Sequence, residues 1–397
     1  MRSRTSTLDV ARARRETPGC TEVAHLNNAG AALMPAVVLE RMIAHLRLEA
    51  QLGGYEAAAL EAAGLDEVYL SAARLLGCDP DEIAVVDSAT RAWTMAFYAI
   101  PFRAGDRILT SVAEYASNFI AYLQLARRHD LSVEVVPNDE SGQLSVSVLR
   151  ELIDDRVRLI SLTHVPTNGG LVNPAAEVGA VAREAGVLYL LDACQSGGQL
   201  PLDVNELGCD LLSITGRKYL RGPRGTGLLY VRRDVLDELS PPMLDLHAAT
   251  WTAPDHYIMR PDARRFETWE CNVAAKLGLG AALDYAVAWG LPTIRDRIYG
   301  LAGDLRERLA QLQGIQVRDI GAEQCGIVTF TVEDTPAQQV KELLGWHRIN
   351  VHVSRAPSTR LDMETRGLDE LVRASVHYYN TTDELTALCS TLRRIGS

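Results

Sequence analysis

The stretch Val187-Leu-Tyr-Leu-Leu-Asp192-Ala-Cys-Gln195 runs five apolar residues into an aspartate and a polar turn. Such a run leaves no wet face, so it predicts a strand buried between two helix layers. Working outward, comparable runs occur at Glu82–Val86, Arg107–Thr110, Val133–Pro137, Val157–Val165, Leu211–Thr215 and Gly225–Val231. Helical patterns such as Phe119–His129 and Pro174–Ala185 separate the earlier runs and suit crossover connections. The alternation predicts a mainly parallel α/β sheet. Gly222-Pro-Arg-Gly225 is too short for a crossover helix, so the last strand is expected to be antiparallel.

After about residue 285 the texture changes. A long helical pattern, Leu291–Leu312, leads into strands Ile327–Glu333, Ile349–Ser354 and Val372–Tyr379, with helices Pro336–Leu344 and Thr382–Arg394 among them. The expected organisation is a polar arm over residues 1–20, a large domain over 21–285 and a smaller α+β domain over 286–397.

Bulk properties narrow the function. The 397 residues exceed one small core, since a domain takes ~150. Net charge is −11 with no basic block, which argues against a nucleic-acid binder. No run approaches ~18 apolar residues, so no membrane span is expected. The basic N-terminus lacks the apolar core of a secretory signal, which points to the cytoplasm. The seven cysteines are scattered and form no CxxC pair, against a disulfide framework or a structural zinc site.

Three segments carry chemistry. Asp192 ends a buried strand, where open α/β sheets bind ligands, and it could hold a pyridinium nitrogen protonated. Alone, such an aspartate reads first as a turn cap. In Ser213-Ile-Thr215-Gly-Arg217-Lys218, a lysine just past another strand reaches the same crevice, and Arg217 and Arg221 could depress its pKa. An exposed loop lysine is the plain alternative. In Val86-Asp-Ser88-Ala89-Thr90-Arg91 a strand gives way to a helix whose free N–H groups suit a phosphate; a simple N-cap is the plain alternative.

Together these segments resemble the class V aminotransferase family of fold type I pyridoxal-5′-phosphate (PLP) enzymes, which includes cysteine desulfurases and isopenicillin N epimerase. The resemblance runs from His25-Leu-Asn-Asn28-Ala-Gly30 to Val372-Arg373-Ala-Ser-Val-His-Tyr-Tyr-Asn380. It is strongest in the order Asp192–Gln195, Thr215–Lys218, Gly222-Pro-Arg-Gly-Thr-Gly227. It implies a large αβα domain with a seven-stranded sheet, a small C-terminal domain and PLP as cofactor. By the same resemblance Lys218 is the Schiff-base lysine, Asp192 pairs with the ring nitrogen and Gln195 approaches the ring hydroxyl. Ala89, Thr90, Thr215 and Arg217 hold phosphate, and Tyr115 stands where desulfurases stack a histidine. A tyrosine stacks but supplies no imidazole chemistry near neutral pH. Thr167 or Asn168 bonds the ring oxygen, Arg373 grips the substrate carboxylate, and Asn28 is placed at the substrate. Arg355 and Arg360 make the late loop His352–Met363 cationic, either to bind a second acidic group of the substrate, Arg355 then being a substrate residue, or simply as solvated charges.

Desulfurases carry a mobile cysteine on a late loop, and here His352–Met363 has none. This reads against persulfide chemistry there and against desulfurase activity. Leu52-Gly-Gly-Tyr55-Glu, Leu244–Trp251 and Arg264-Arg-Phe-Glu-Thr268-Trp-Glu270 resemble the ergothioneine C–S lyase branch and its relatives in lincosamide antibiotic pathways. The last stretch implies a homodimer with shared active sites, Thr268 being the hydroxyl nearest the partner's phosphate. The resulting expectation is a C–S β-lyase splitting a cysteine S-conjugate into thiol, pyruvate and ammonia. The alternatives are oxidative decarboxylation–deamination, transamination or epimerisation of a related sulfur amino acid. A non-catalytic protein keeping the fold is the reading from another class, and intact Lys218, Asp192 and Arg373 oppose it.

Overall fold

The computed structural model describes residues 8–394; residues 1–7 of the polar arm lie outside the described residues, as do 395–397. The large sheet has seven strands: β1 Ile83–Val86, β2 Arg107–Ser111, β3 Ser132–Val136, β4 Val157–Thr163, β5 Leu188–Asp192, β6 Leu211–Thr215 and β7 Gly227–Val231. Their spatial order is β1-β7-β6-β5-β4-β2-β3. Strands β6, β5, β4, β2 and β3 run parallel, and β7 lies antiparallel to both β6 and β1. The short Gly222–Gly225 link therefore does reverse the chain.

The apolar runs have two dry faces because alternate residues enter different cores. Tyr189, Leu191, Leu212 and Ile214 join one core. Leu188, Leu190 and Leu211 join the other, with Trp93 and Phe97 of helix α1, Ala89–Ala99. The Trp93 and Phe97 rings stack at 4.8 Å between centroids. This helix starts at Ser88, whose side chain accepts from the Arg91 N–H at 3.1 Å. Further helices cover the sheet: α2 Ala116–His129, α3 Ala175–Ala185 and α4 Val273–Trp289. Among the described residues no single helix is long and apolar enough to cross a membrane.

At Gly290, with φ of 80°, the chain bends by 79° from α4 into α5, Leu291–Ala310. Beyond lies a four-stranded antiparallel sheet of β8 Ile315–Val317, β9 Ile327–Val332, β10 His352–Arg355 and β11 Glu370–Ser375, in the order β8-β9-β11-β10. The strand expected over Ile349–Ser354 is broken: Ile349–Asn350 leaves this sheet and pairs parallel with Ala24–His25 near the N-terminus. The strand expected to reach Tyr379 stops at Ser375, where the chain turns and buries Tyr378 and Tyr379. The N-terminal segment is likewise anchored, with Val10–Arg15 helical and Arg14 bonded to Glu384 at 2.8 Å.

Candidate active site

The parallel strands β4, β5 and β6 end side by side, and Thr163 is in register with Asp192. A cavity opens there, lined by Thr163, Asp192, Thr215 and Lys218 from the sheet side and by Ser88, Ala89 and Thr90 at the start of α1. This is the crevice past the carboxyl ends of the strands, where open α/β sheets bind ligands.

Lys218 follows β6 in a tight turn. The Arg221 N–H bonds the Lys218 carbonyl at 2.9 Å, and the Gly222 N–H bonds the Gly216 carbonyl at 2.7 Å. Lys218 is half-buried in the cavity wall. Loss of water lowers its pKa, Arg217 and Arg373 push the same way, and Cys194 and Asp192 oppose. An amine so placed holds its proton less tightly, as a nucleophile requires.

The opposite wall suits an anion. The first-turn N–H groups of a helix lack partners within it and carry positive partial charge. The hydroxyls of Thr90, Thr215 and Thr226 and the Arg217 side chain line the same space. A side chain at Gly227 would meet the Ser88 backbone at 2.5 Å, so only glycine lets β7 approach the start of this helix. In the remaining wall, the Gln195 Oε1 is buried without a hydrogen-bond partner.

Arg373, on β11, is 4% exposed. Among the described residues its side chain bonds only from Nη1 to the Thr167 carbonyl at 3.2 Å and to the Thr167 hydroxyl, and its Nε has no partner. Among the described residues no carboxylate pairs with it. Burial pulls its pKa down to about 10. A desolvated cation without a counter-ion is costly, and a ligand carboxylate reaching it past Thr167 would remove that cost.

The chain and its fold are similar to known proteins. The model of class V aminotransferases matches residues 24–388. A probable cysteine desulfurase of Methanothermobacter thermautotrophicus is 29% identical over 96% of this chain and 97% of its own. The cysteine desulfurase of Thermococcus onnurineus, solved in its apo form, superposes with a TM-score of 0.90 at 25% identity, covering 98% of each chain. A variant of C-DES with glycine covalently linked to its PLP cofactor superposes at 0.86 with 26% identity, over 96% of this chain and 98% of its own.

The chain belongs to the class V aminotransferase family.

Its fold is PLP fold type I and its cofactor is PLP. The residues present fit that cofactor: a helix start and hydroxyls for a phosphate, a carboxylate at a strand end, an unpartnered Gln195 oxygen, and an amine of depressed pKa all face one cavity. When bound, PLP supplies an electron sink for the charge left on a substrate carbon.

The structure brings together Ala89, Thr90, Tyr115, Thr167, Asp192, Gln195, Thr215, Arg217 and Lys218 around the cavity. Of the neighbours Thr167 and Asn168, only one faces inward. Thr167 lines the cavity, whereas the Asn168 Nδ2 donates to the Thr359 hydroxyl at 2.8 Å. Three other residues stand away. Asn28 is committed to the His25 and Ser375 carbonyls at 3.1 and 2.7 Å and to the Tyr379 hydroxyl, so it ties the two chain ends together. The Arg355 guanidinium is 60% exposed and 3.9 Å from Glu370. The Thr268 hydroxyl bonds the Glu270 carbonyl at 3.1 Å and lines a neighbouring cavity with Arg91, Cys271 and Lys276. Two residues that the sequence reading passed over, Glu114 and Asn118, lie directly behind Asp192. Their four-residue spacing at a helix start was the available signal.

The functional expectation is corrected. The relatives above from Methanothermobacter and Thermococcus are named a probable cysteine desulfurase and a cysteine desulfurase, not lyases of cysteine S-conjugates. They carry no support for the oxidative, transaminating or epimerising alternatives, nor for placement in the ergothioneine and lincosamide branch. A cysteine-free loop does not by itself set the chain apart from desulfurases. His352–Met363 comprises β10, a short 3₁₀ turn over Ala356–Ser358 and the first residues of the helix Arg360–Thr365. Its lack of a thiol removes one place for a sulfur acceptor and leaves the cavity around Lys218 unaltered.

Proposed function

We propose that this chain is a PLP-dependent enzyme that removes sulfur from cysteine. The observation that carries the reading is a single cavity shared by Lys218 and Asp192 and closed by Thr167, behind which Arg373 waits without a counter-ion, in a chain whose relatives are named desulfurases.

In this reading Lys218 binds the cofactor and then moves the substrate's α-proton at its Nζ. Asp192 faces the ring nitrogen and Gln195 the ring hydroxyl. Ala89, Thr90, Thr215 and Arg217 take the phosphate. Tyr115, 38% exposed, covers the ring without acid–base duty. Arg373 takes the substrate carboxylate in charge-assisted bonds and Thr167 orients it. Thr268 faces a second copy of the chain. Pairing of two copies is supported by Trp251, Tyr257, Ile258 and Trp269, large apolar residues all more than half exposed in one stretch. Large apolar side chains left exposed in this number are what a partner surface covers.

The sulfur acceptor is a thiolate from solution. It bonds the substrate sulfur, the Cβ–S bond breaks with its electron pair passing to carbon, and a proton completes alanine; with dithiothreitol the second thiol then displaces the transferred sulfur as sulfide and closes the cyclic disulfide. Cys194 is the one cysteine on the cavity wall, and burial beside Asp192 drives its thiol pKa up, away from the thiolate that attack requires. The test is sulfide release from L-cysteine with dithiothreitol as acceptor. Release that depends on PLP and persists in Cys194→Ala is expected; no PLP-dependent release would refute the reading.

A further inference from the structure

Asp192 and a second buried carboxylate behind it, Glu114, share one amide. Glu114 follows β2 and is 3% exposed. Its Oε1 accepts from the Tyr115 N–H at 2.8 Å, from the Asn118 Nδ2 at 2.9 Å and from the Thr163 hydroxyl. Its Oε2 accepts from the Thr110 hydroxyl at 2.8 Å and the Tyr122 hydroxyl at 3.3 Å. The same Asn118 Nδ2 donates to the Asp192 Oδ2 at 3.0 Å. The other Asp192 oxygen accepts from the Cys194 N–H at 2.9 Å.

This geometry has little freedom. An amide nitrogen has two hydrogens, and here each carboxylate takes one. Turning the Asn118 amide over would set its oxygen against both carboxylates, so the orientation is forced. With Oδ1 fixed by a backbone donor and Oδ2 by Asn118, the plane of the Asp192 carboxylate is set. Two nearby carboxylates in a dry site repel each other, and burial together with the Asp192 charge raises the pKa of Glu114, while Thr163, Asn118 and Thr110 donors oppose. The shared amide is what makes the juxtaposition tolerable.

We propose that Asn118 is a positioning residue for Asp192, turning its carboxylate toward the cofactor ring, and that Glu114 acts by orienting Asn118. The role of Glu114 is geometric. At Oε1 two of its partners are N–H groups, which demand an acceptor; at Oε2 both are hydroxyls, which rotate to accept instead. Glu114→Gln therefore keeps its oxygen toward Asn118 and places its NH2 toward Thr110 and Tyr122.

The inference rests on Asp192 as the ring's partner, and the experiment separates the two. PLP is titrated into purified apo variants and its affinity read from absorbance, with apo melting temperature as the check on folding. Asp192→Asn is the control: unchanged affinity there would refute the assigned role of Asp192 itself. Asn118→Ala is expected to weaken PLP about tenfold, the loss of one charge-assisted bond. In the double variant the two effects are expected not to add, because Asn118 acts only through Asp192. Affinity within twofold of the parent in Asn118→Ala, or additive effects, would overturn the proposal. Glu114→Gln is expected to stay within about threefold because its acceptor is kept; a loss as large as that of Asn118→Ala would overturn its orienting role. If Asn118→Ala does not fold, Asn118→Ser gives the same comparison, since its single hydrogen serves only one carboxylate. Loss of fold in both would make Asn118 a packing group and overturn the proposal.

Discussion

An amine deprived of water holds its proton less tightly, and the cavity wall and two nearby guanidinium groups act on Lys218 in that direction. Its folded pKa falls below the ordinary lysine value of 10.5. Between those two values the unfolded chain binds the extra proton, so stability rises with pH there. Below the folded pKa the whole penalty is present. The apo protein with Lys218→Met is therefore expected to melt higher than its parent at pH 7, with the gain shrinking as pH climbs toward 10.5. An equal gain at all pH values would contradict the depressed amine. At Arg373 the prediction concerns substrate. Arg373→Lys loses the two-pronged grip on a carboxylate, and KM should rise about 10- to 100-fold, the worth of charge-assisted bonds. Steady-state kinetics showing an unchanged KM would remove Arg373 from the substrate. Residue types and order were legible here, because strand ends followed by Asp, Lys and Thr are local features. Direction was not. Nothing local says that Thr167 faces the cavity while Asn168 turns to Thr359, or that Asn28 is spent on the His25 and Ser375 carbonyls.

The turn after β6 shows how an element is held from afar. Arg221 adopts φ of 62°, unusual for a residue with a side chain, and is 1% exposed. Its guanidinium donates to the Leu33 carbonyl at 2.9 Å, to the Tyr378 hydroxyl at 2.6 Å and to the Thr17 hydroxyl. It also lies over the rings of Tyr285, Tyr378 and Tyr379. One side chain thus ties the Lys218 turn to the N-terminal segment, to α4 and to the stretch after β11. Arg221→Met fills similar space but strands the Leu33 carbonyl, and unfolding measurements should show a loss of about 1–3 kcal/mol; unchanged stability would show that the clasp is redundant. The sequence reading treated Arg221 as a local cation beside Lys218, since partners some 200 positions away leave no local trace. The Ala24–His25 pairing with Ile349–Asn350 was invisible for the same reason. The strands of the large sheet were legible because burial on both faces writes itself as an uninterrupted apolar run.

Across the whole molecule, Trp251, Tyr257, Ile258 and Trp269 stand out as large apolar residues more than half exposed. Light scattering is expected to give a mass near twice the 43.4 kDa of one chain. A catalytically competent monomer would contradict a shared site. The central claim concerns chemistry, and the product decides it. L-cysteine labelled with carbon-13 is incubated with the PLP-loaded protein and dithiothreitol, and the carbon products are separated by mass spectrometry. Removal of sulfur with return of the electron pair to carbon predicts labelled alanine in step with sulfide. Labelled pyruvate in step with sulfide, with no alanine, would mean that the sulfur leaves by elimination and would contradict the account.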